Sequence, residues 1–133
     1  MKYYVDTCIW IDYWENRQDN LRPLGEFALK FFTNLEDEDI VYYSDLTLKE
    51  LNNRYSDDVI AEVFKVVECE LIHLETYKSQ LHTATIIART GLMHWTDALH
   101  ATLAKEADAL LITRDKQILN SGFARTFRPE ELI

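Results

Sequence analysis

Four carboxylates stand where an α/β chain can place its chemistry. Asp6 ends the apolar run "KYYVD", and Glu50 lies in the helical stretch after a second apolar run. Asp97 is read as opening a helix, and Asp115 as closing the strand that follows, in "MHWTDALHATLAKEADALLITRD" (93–115). In open α/β sheets, ligands bind outside the carboxyl ends of the strands. If the strands near residues 2 and 109 lie side by side, Asp6 and Asp115 share one end of the sheet. Like charges that close raise each other's pKa and destabilise the fold unless a cation sits among them. Hard oxygen donors with few imidazoles suit Mg²⁺ or Mn²⁺, and such an ion can activate water and stabilise a phosphodiester under attack. Each acid taken alone also has a plainer reading. Asp6, Asp97 and Asp115 can satisfy free N–H groups at helix starts, and Glu50 can be a solvated face residue.

Other chemistries lack their residues. Three glycines leave no phosphate-cradling loop, neither a Walker A motif nor a dinucleotide fingerprint. No G-x-S-x-G elbow surrounds any serine. His73, His82, His94 and His100 lack the spacing or the cysteine companions of a zinc site; His100 reads as a half-buried polar contact within a helix. The net charge of −9 argues against avid, non-specific nucleic-acid binding, although bound cations reverse such a field locally.

The elements that must position the acids alternate regularly. Strands are expected at 2–6, 39–44, 70–75 and 109–113, with an edge strand in "ARTFR" (124–128). Helices are expected from Thr7, over 24–36, 46–55 and 56–68 with Ser56 as N-cap, over 76–90 ended by Gly91, over 97–106, and in a short run to Asn120. The polar stretch 16–23 reads as a loop. Without a repeat or linker, the 133 residues predict one α/β domain around a largely parallel sheet. No apolar run is long enough to cross a membrane, the start of the chain lacks a cleavage site for a signal peptide, and two irregularly placed cysteines favour a reducing cytoplasm. Trp10, Tyr13 and Trp14 offer more aromatic surface than one helix face buries, which fits either core packing or a self-association or partner surface.

"YYVDTCIWID", "LTLKEL", "WTDALHATLA" and "LLITRDKQI", in this order, resemble the motifs of PIN-domain nucleases, most closely the VapC-type toxin ribonucleases of VapBC toxin–antitoxin pairs. The resemblance spans essentially residues 1–133 and implies a three-layer α/β/α sandwich with a central, mostly parallel sheet. It implies metal-dependent cleavage of RNA to leave a 5′-phosphate and a 3′-hydroxyl, with a cognate antitoxin as partner. Asp6, Glu50, Asp97 and Asp115 then correspond to the carboxylates that bind Mg²⁺ or Mn²⁺, and Thr7 and Thr113 to hydroxyls that hydrogen-bond the acids or the attacking water. Many members carry a further Asp two places after the fourth acid, followed by Phe. Gln117 and Ile118 stand there, and a neutral amide holds a second ion less well, which favours one firmly held metal.

Trp95 reads as a structural residue at the start of a helix, with base stacking as its other use, and Arg114 and Lys116 read as solvated, with phosphate steering as their other use. Two other functional classes remain open on the sequence. One is a degenerate PIN domain that only binds RNA or protein, favoured by Gln117. The other is an Asp-nucleophile phosphatase of the haloacid dehalogenase type, whose second Asp is replaced here by Cys8.

Overall fold

A computed structural model describes residues 1–133. Five strands, β1 (Lys2–Val5), β2 (Ile40–Ser44), β3 (Glu70–Leu74), β4 (Leu110–Ile112) and β5 (Thr126–Phe127), form one sheet in the order β3-β2-β1-β4-β5. Every pairing is parallel. Seven helices connect and cover the strands: α1 (Thr7–Glu15), α2 (Leu24–Thr33), α3 (Asp45–Asn52), α4 (Asp57–Phe64), α5 (Lys78–Arg89), α6 (Trp95–Glu106) and α7 (Lys116–Ser121), with a 3-10 turn at Pro129–Leu132.

The two-residue period of the strands sorts their side chains into two cores. Val5, Val41, Leu110 and Ile112 face the aromatic side, where Ile9 and Trp10 of α1, Phe31 and Phe32 of α2, Leu51 of α3 and Ile60 and Val63 of α4 pack. Tyr4, Tyr42 and Leu111 face the alanine-rich α6, with Ala84 of α5 and Ile118 of α7. Helices on both faces of a parallel sheet make this a three-layer α/β/α sandwich. No helix is long and apolar enough to cross a membrane.

Helix ends account for most departures from the sequence expectation. Asp39 accepts the Glu36 N–H (2.9 Å), which fixes a turn, and α2 has already stopped at Thr33 rather than reaching 36. α3 ends at Asn52 rather than at 55, and the Asn52 side-chain amide donates to the Tyr55 carbonyl (3.4 Å) and to Asp57 (2.9 Å). Ser56 caps α4 as expected, accepting from the Val59 N–H at 3.4 Å, but α4 stops at Phe64, and Val66 and Val67 pack against the core instead. Gly91 takes φ +78°, the left-handed conformation that follows a helix end. α6 begins at Trp95, so Asp97 lies in its first turn and does not open it. Of the α1 aromatics, Trp10 is core: it stacks on Phe32 at 4.8 Å and donates its indole N–H to the Val5 carbonyl at 3.2 Å. Trp14 stays 40% exposed.

The strand order places the site. The chain moves outward from β1 through β2 to β3, then crosses back to lay β4 on the other side of β1. The carboxyl ends of β1 and β4 therefore flank the topological switch point, where doubly wound sheets open a crevice.

Candidate metal centre

Asp6 follows β1 directly, and its backbone N–H donates to the Ile112 carbonyl of β4 at 2.9 Å. Its backbone occupies the N-cap of α1, yet its carboxylate makes no capping hydrogen bond. Instead Asp6 Oδ2 accepts from Thr113 Oγ1 at 2.7 Å, and the residue is 7% exposed. Glu50, from the middle of α3, is half-buried rather than on a solvated face. Its Oε1 accepts from Thr7 Oγ1 at 2.8 Å and pairs with His100 Nε2 at 2.6 Å. Asp115 does cap its helix, accepting from the Ile118 N–H at 3.0 Å through Oδ1. The plainer reading of helix capping thus holds for Asp115 and fails for Asp6.

Asp6, Thr7, Glu50, Asp97 and Asp115 all line one open cavity of about 620 Å³, and Thr113 lies behind it, fully buried. In Glu50 and Asp115 one carboxylate oxygen is bound internally, and the other, Oε2 or Oδ2, takes no protein hydrogen bond. Asp6 Oδ1 takes no hydrogen bond and lies 3.5 Å from His100 Nε2. The acids ring the cavity without drawing together into a compact group of three ligands. The donor set is nonetheless hard oxygen throughout, which suits Mg²⁺ or Mn²⁺ and not a thiophilic metal. Cys8 also lines the cavity, its Sγ 3.7 Å from Asp6 Oδ2, and burial and the Asp6 charge push its thiol pKa well up.

The electrostatics record the crowding. Burial, then the charges of Asp115 and Asp6, push the Asp97 carboxyl up to about 6. Burial also works against ionisation of Glu50, but the hydrogen bond and charge of His100 and the Thr7 hydroxyl outweigh it and hold that carboxyl below its usual value. A carboxyl raised in the folded state penalises folding once it ionises. The penalty is absent below the ordinary value of 3.8, grows as pH rises to about 6, and is complete above that. Asp97→Asn in the metal-free chain is therefore expected to raise the melting temperature by several degrees at pH 8 and not at pH 4. A shift of this size, discounted by about half for a partly exposed group, corresponds to roughly 1–2 kcal/mol. Thermal melts at both pH values check this; a lower melting point at pH 8 would show that Asp97 mainly serves the N-terminus of α6.

Three arginines, Arg17, Arg54 and Arg114, also line the cavity, and each is held by acids. Arg114 corrects the solvated reading. Its side chain is 13% exposed, its Nε donates to Asp12 at 3.2 Å, and its two terminal nitrogens donate to Glu130 at 2.9 and 2.8 Å. Lys116 is exposed as expected. Trp95 does not line the cavity; it donates to Thr85 Oγ1 at 3.2 Å and ties α6 to α5. Gln117 is exposed and off the cavity. His100 corrects the half-buried reading, being fully buried beside Glu50 and Asp6. Burial disfavours its imidazolium, but Tyr4 and the two acids hold its pKa well above the usual value. A second cavity of about 510 Å³, at Lys2, Lys105 and Arg125, contains only one acid, Asp108, and offers no comparable donor set.

A three-layer α/β/α sandwich with acids gathered at its switch point defines the class of the protein. The PIN domain family model matches residues 3–124, and the chain belongs to that family. Among solved structures, a toxin–antitoxin complex from Klebsiella pneumoniae is similar with a TM-score of 0.69 and 14% identity, over 96% of this chain and 97% of that one. FitAcB from Neisseria gonorrhoeae gives 0.64 and 20% over 96% and 97%. VapBC2 from Rickettsia felis, bound to a DNA fragment from its promoter, gives 0.62 and 16% over 96% and 98%. At these identities the likeness establishes the fold alone. No curated protein matches the chain.

Proposed function

We propose that this chain is a metal-dependent endoribonuclease and the toxin of a toxin–antitoxin pair. The observation that carries the proposal is the convergence of Asp6, Glu50, Asp97 and Asp115 on one cavity at the switch point, each with an oxygen free of protein hydrogen bonds. These four acids would hold Mg²⁺ or Mn²⁺. When bound, the ion supplies Lewis acidity and a water of lowered pKa. The chain supplies the rest. Thr113 and Thr7 hold Asp6 and Glu50 in place, and an acid of the ring orients the attacking water in line with the scissile phosphate. Arg17 and Arg54 line the same cavity and would meet flanking phosphates in exchange for their bonds to Glu15. The products are a 5′-phosphate and a 3′-hydroxyl.

An antitoxin partner is proposed because the similar folds include toxin–antitoxin complexes. A homodimer is supported by the apolar side chains Leu81, Ile86, Leu92 and Trp95, left exposed along α5, in the turn after it and at the start of α6. A cytoplasmic site of action follows from an RNA substrate and two free cysteines.

The phosphatase reading loses its second acid, since Cys8 stands two residues after Asp6. The binding-module reading rests on Gln117, which lies off the cavity. Parallel assays of an RNA panel and p-nitrophenyl phosphate with Mg²⁺, with end-mapping of products, separate the classes. RNA cleavage with 5′-phosphate ends and an inert ester is the expected result. Hydrolysis of the ester alone, or RNA binding without cleavage, would overturn the proposal.

A further inference from the structure

His100 comes from α6, and its ring is 1% exposed. Its Nε2 lies 2.6 Å from Glu50 Oε1 and 3.5 Å from Asp6 Oδ1, and its Nδ1 lies 2.7 Å from the Tyr4 hydroxyl of β1. The Tyr4 hydroxyl is in turn 2.7 Å from Ser44 Oγ. Ser44 forms a capping box with Thr47 at the start of α3, the helix that carries Glu50. One chain of buried polar groups therefore ties β1, the end of β2, α3 and α6 together behind the acids.

Proton placement along this chain follows from the groups themselves. Ionised carboxylate oxygens only accept, so Nε2 carries a hydrogen. Nδ1 meets a hydroxyl, which can donate to a neutral ring or accept from a charged one, and Ser44 completes the Tyr4 hydroxyl in either case. Rotation of the imidazole would leave buried polar atoms without partners. Glu50 Oε1 is occupied twice over, by Thr7 and by His100, and Oε2 remains.

We propose that His100 is a positioning residue, whose Nε2–H fixes the Glu50 carboxylate so that Oε2 faces the cation and Glu50 keeps its spacing from Asp6. The inference rests on the reading above, in which Glu50 holds a divalent ion. Partners that orient a metal-ligating group typically carry about 10–100-fold of its metal affinity.

The test uses the full chain, Mn²⁺ as probe and two substitutions. His100→Phe keeps an aromatic ring edge-on to Tyr4 (centroids now 5.5 Å apart), and it leaves Thr7 on Glu50 and Ser44 on Tyr4, so the fold should persist. His100→Gln returns an N–H donor near the position of Nε2. By Mn²⁺ titration, His100→Phe is expected to bind about 10–100-fold more weakly than wild type. His100→Gln is expected to recover most of the loss, with circular dichroism unchanged in both. Wild-type affinity in His100→Phe, or equal weakness in both variants, overturns the inference in favour of plain packing. Should wild type itself bind no Mn²⁺, the nuclease reading fails separately, and ¹⁵N-histidine spectra of the metal-free chain decide the positioning role. An exchange-protected Nε2–H that loses protection in Glu50→Ala supports it, and an unprotected Nε2 overturns it.

Discussion

Asp6→Asn is expected to give a folded protein whose RNA cleavage falls by about three orders of magnitude. The fold should survive because the Asp6 carboxylate caps nothing. Its backbone bond to Ile112 is untouched, and an amide oxygen can still accept from Thr113. What disappears is a full charge at the end of β1, in a ring of acids proposed to bind the ion. Several kcal/mol credited to the ion, at about 1.4 kcal/mol per tenfold, give a loss of that order. Glu50→Gln should behave alike, since its amide oxygen can keep the Thr7 and His100 contacts. Cleavage of an RNA panel beside circular dichroism checks both. Wild-type rates in Asp6→Asn would mean the site has been misplaced.

Arg114→Ala is expected to cost about 3 kcal/mol of stability, a fall of roughly 10 °C in melting temperature for a domain of this size. Asp12 is 3% exposed, and its carboxyl is raised by burial against the opposing pull of Arg114 and Arg17. Without Arg114 it keeps only Arg17, at 3.7 Å, and Glu130 loses its bidentate partner. A buried charge left without its partner is costly, whereas removing both charges is tolerated. Asp12→Asn combined with Arg114→Ala should therefore recover part of the loss. A melting point of Arg114→Ala within about 1 °C of wild type would return Arg114 to the solvated class.

The four acids are legible in the chain because each stands beside a strong local signal: the end of an apolar strand, or a helix with an apolar stripe. Parallel alternation leaves the strand order open; the structure lays β4 beside β1 and so brings Asp6 and Asp115 to one end of the sheet. Arg114 and His100 are a different matter. Arg114 finds Asp12 at a sequence separation of 102, and His100 finds Tyr4 at 96 and Glu50 at 50. Nothing in the flanking residues announces such partners, so both read as ordinary surface or half-buried groups. The start of α6 is hidden for another reason. His94 occupies its N-cap without a side-chain hydrogen bond, so no capping signal precedes Trp95, and Asp97, an acid suited to a first turn, draws the boundary two residues late. Trp10 and Trp14 are alike in sequence, and only the approach of Phe32 and Phe64 decides which one is core.

The proposed activity needs a cation among the four acids, so the most direct measurement is RNA cleavage by the purified, partner-free chain before chelation, after EDTA, and after Mg²⁺ or Mn²⁺ is restored. The expected result is cleavage that disappears with EDTA and returns with either ion. Undiminished cleavage in excess EDTA would contradict it.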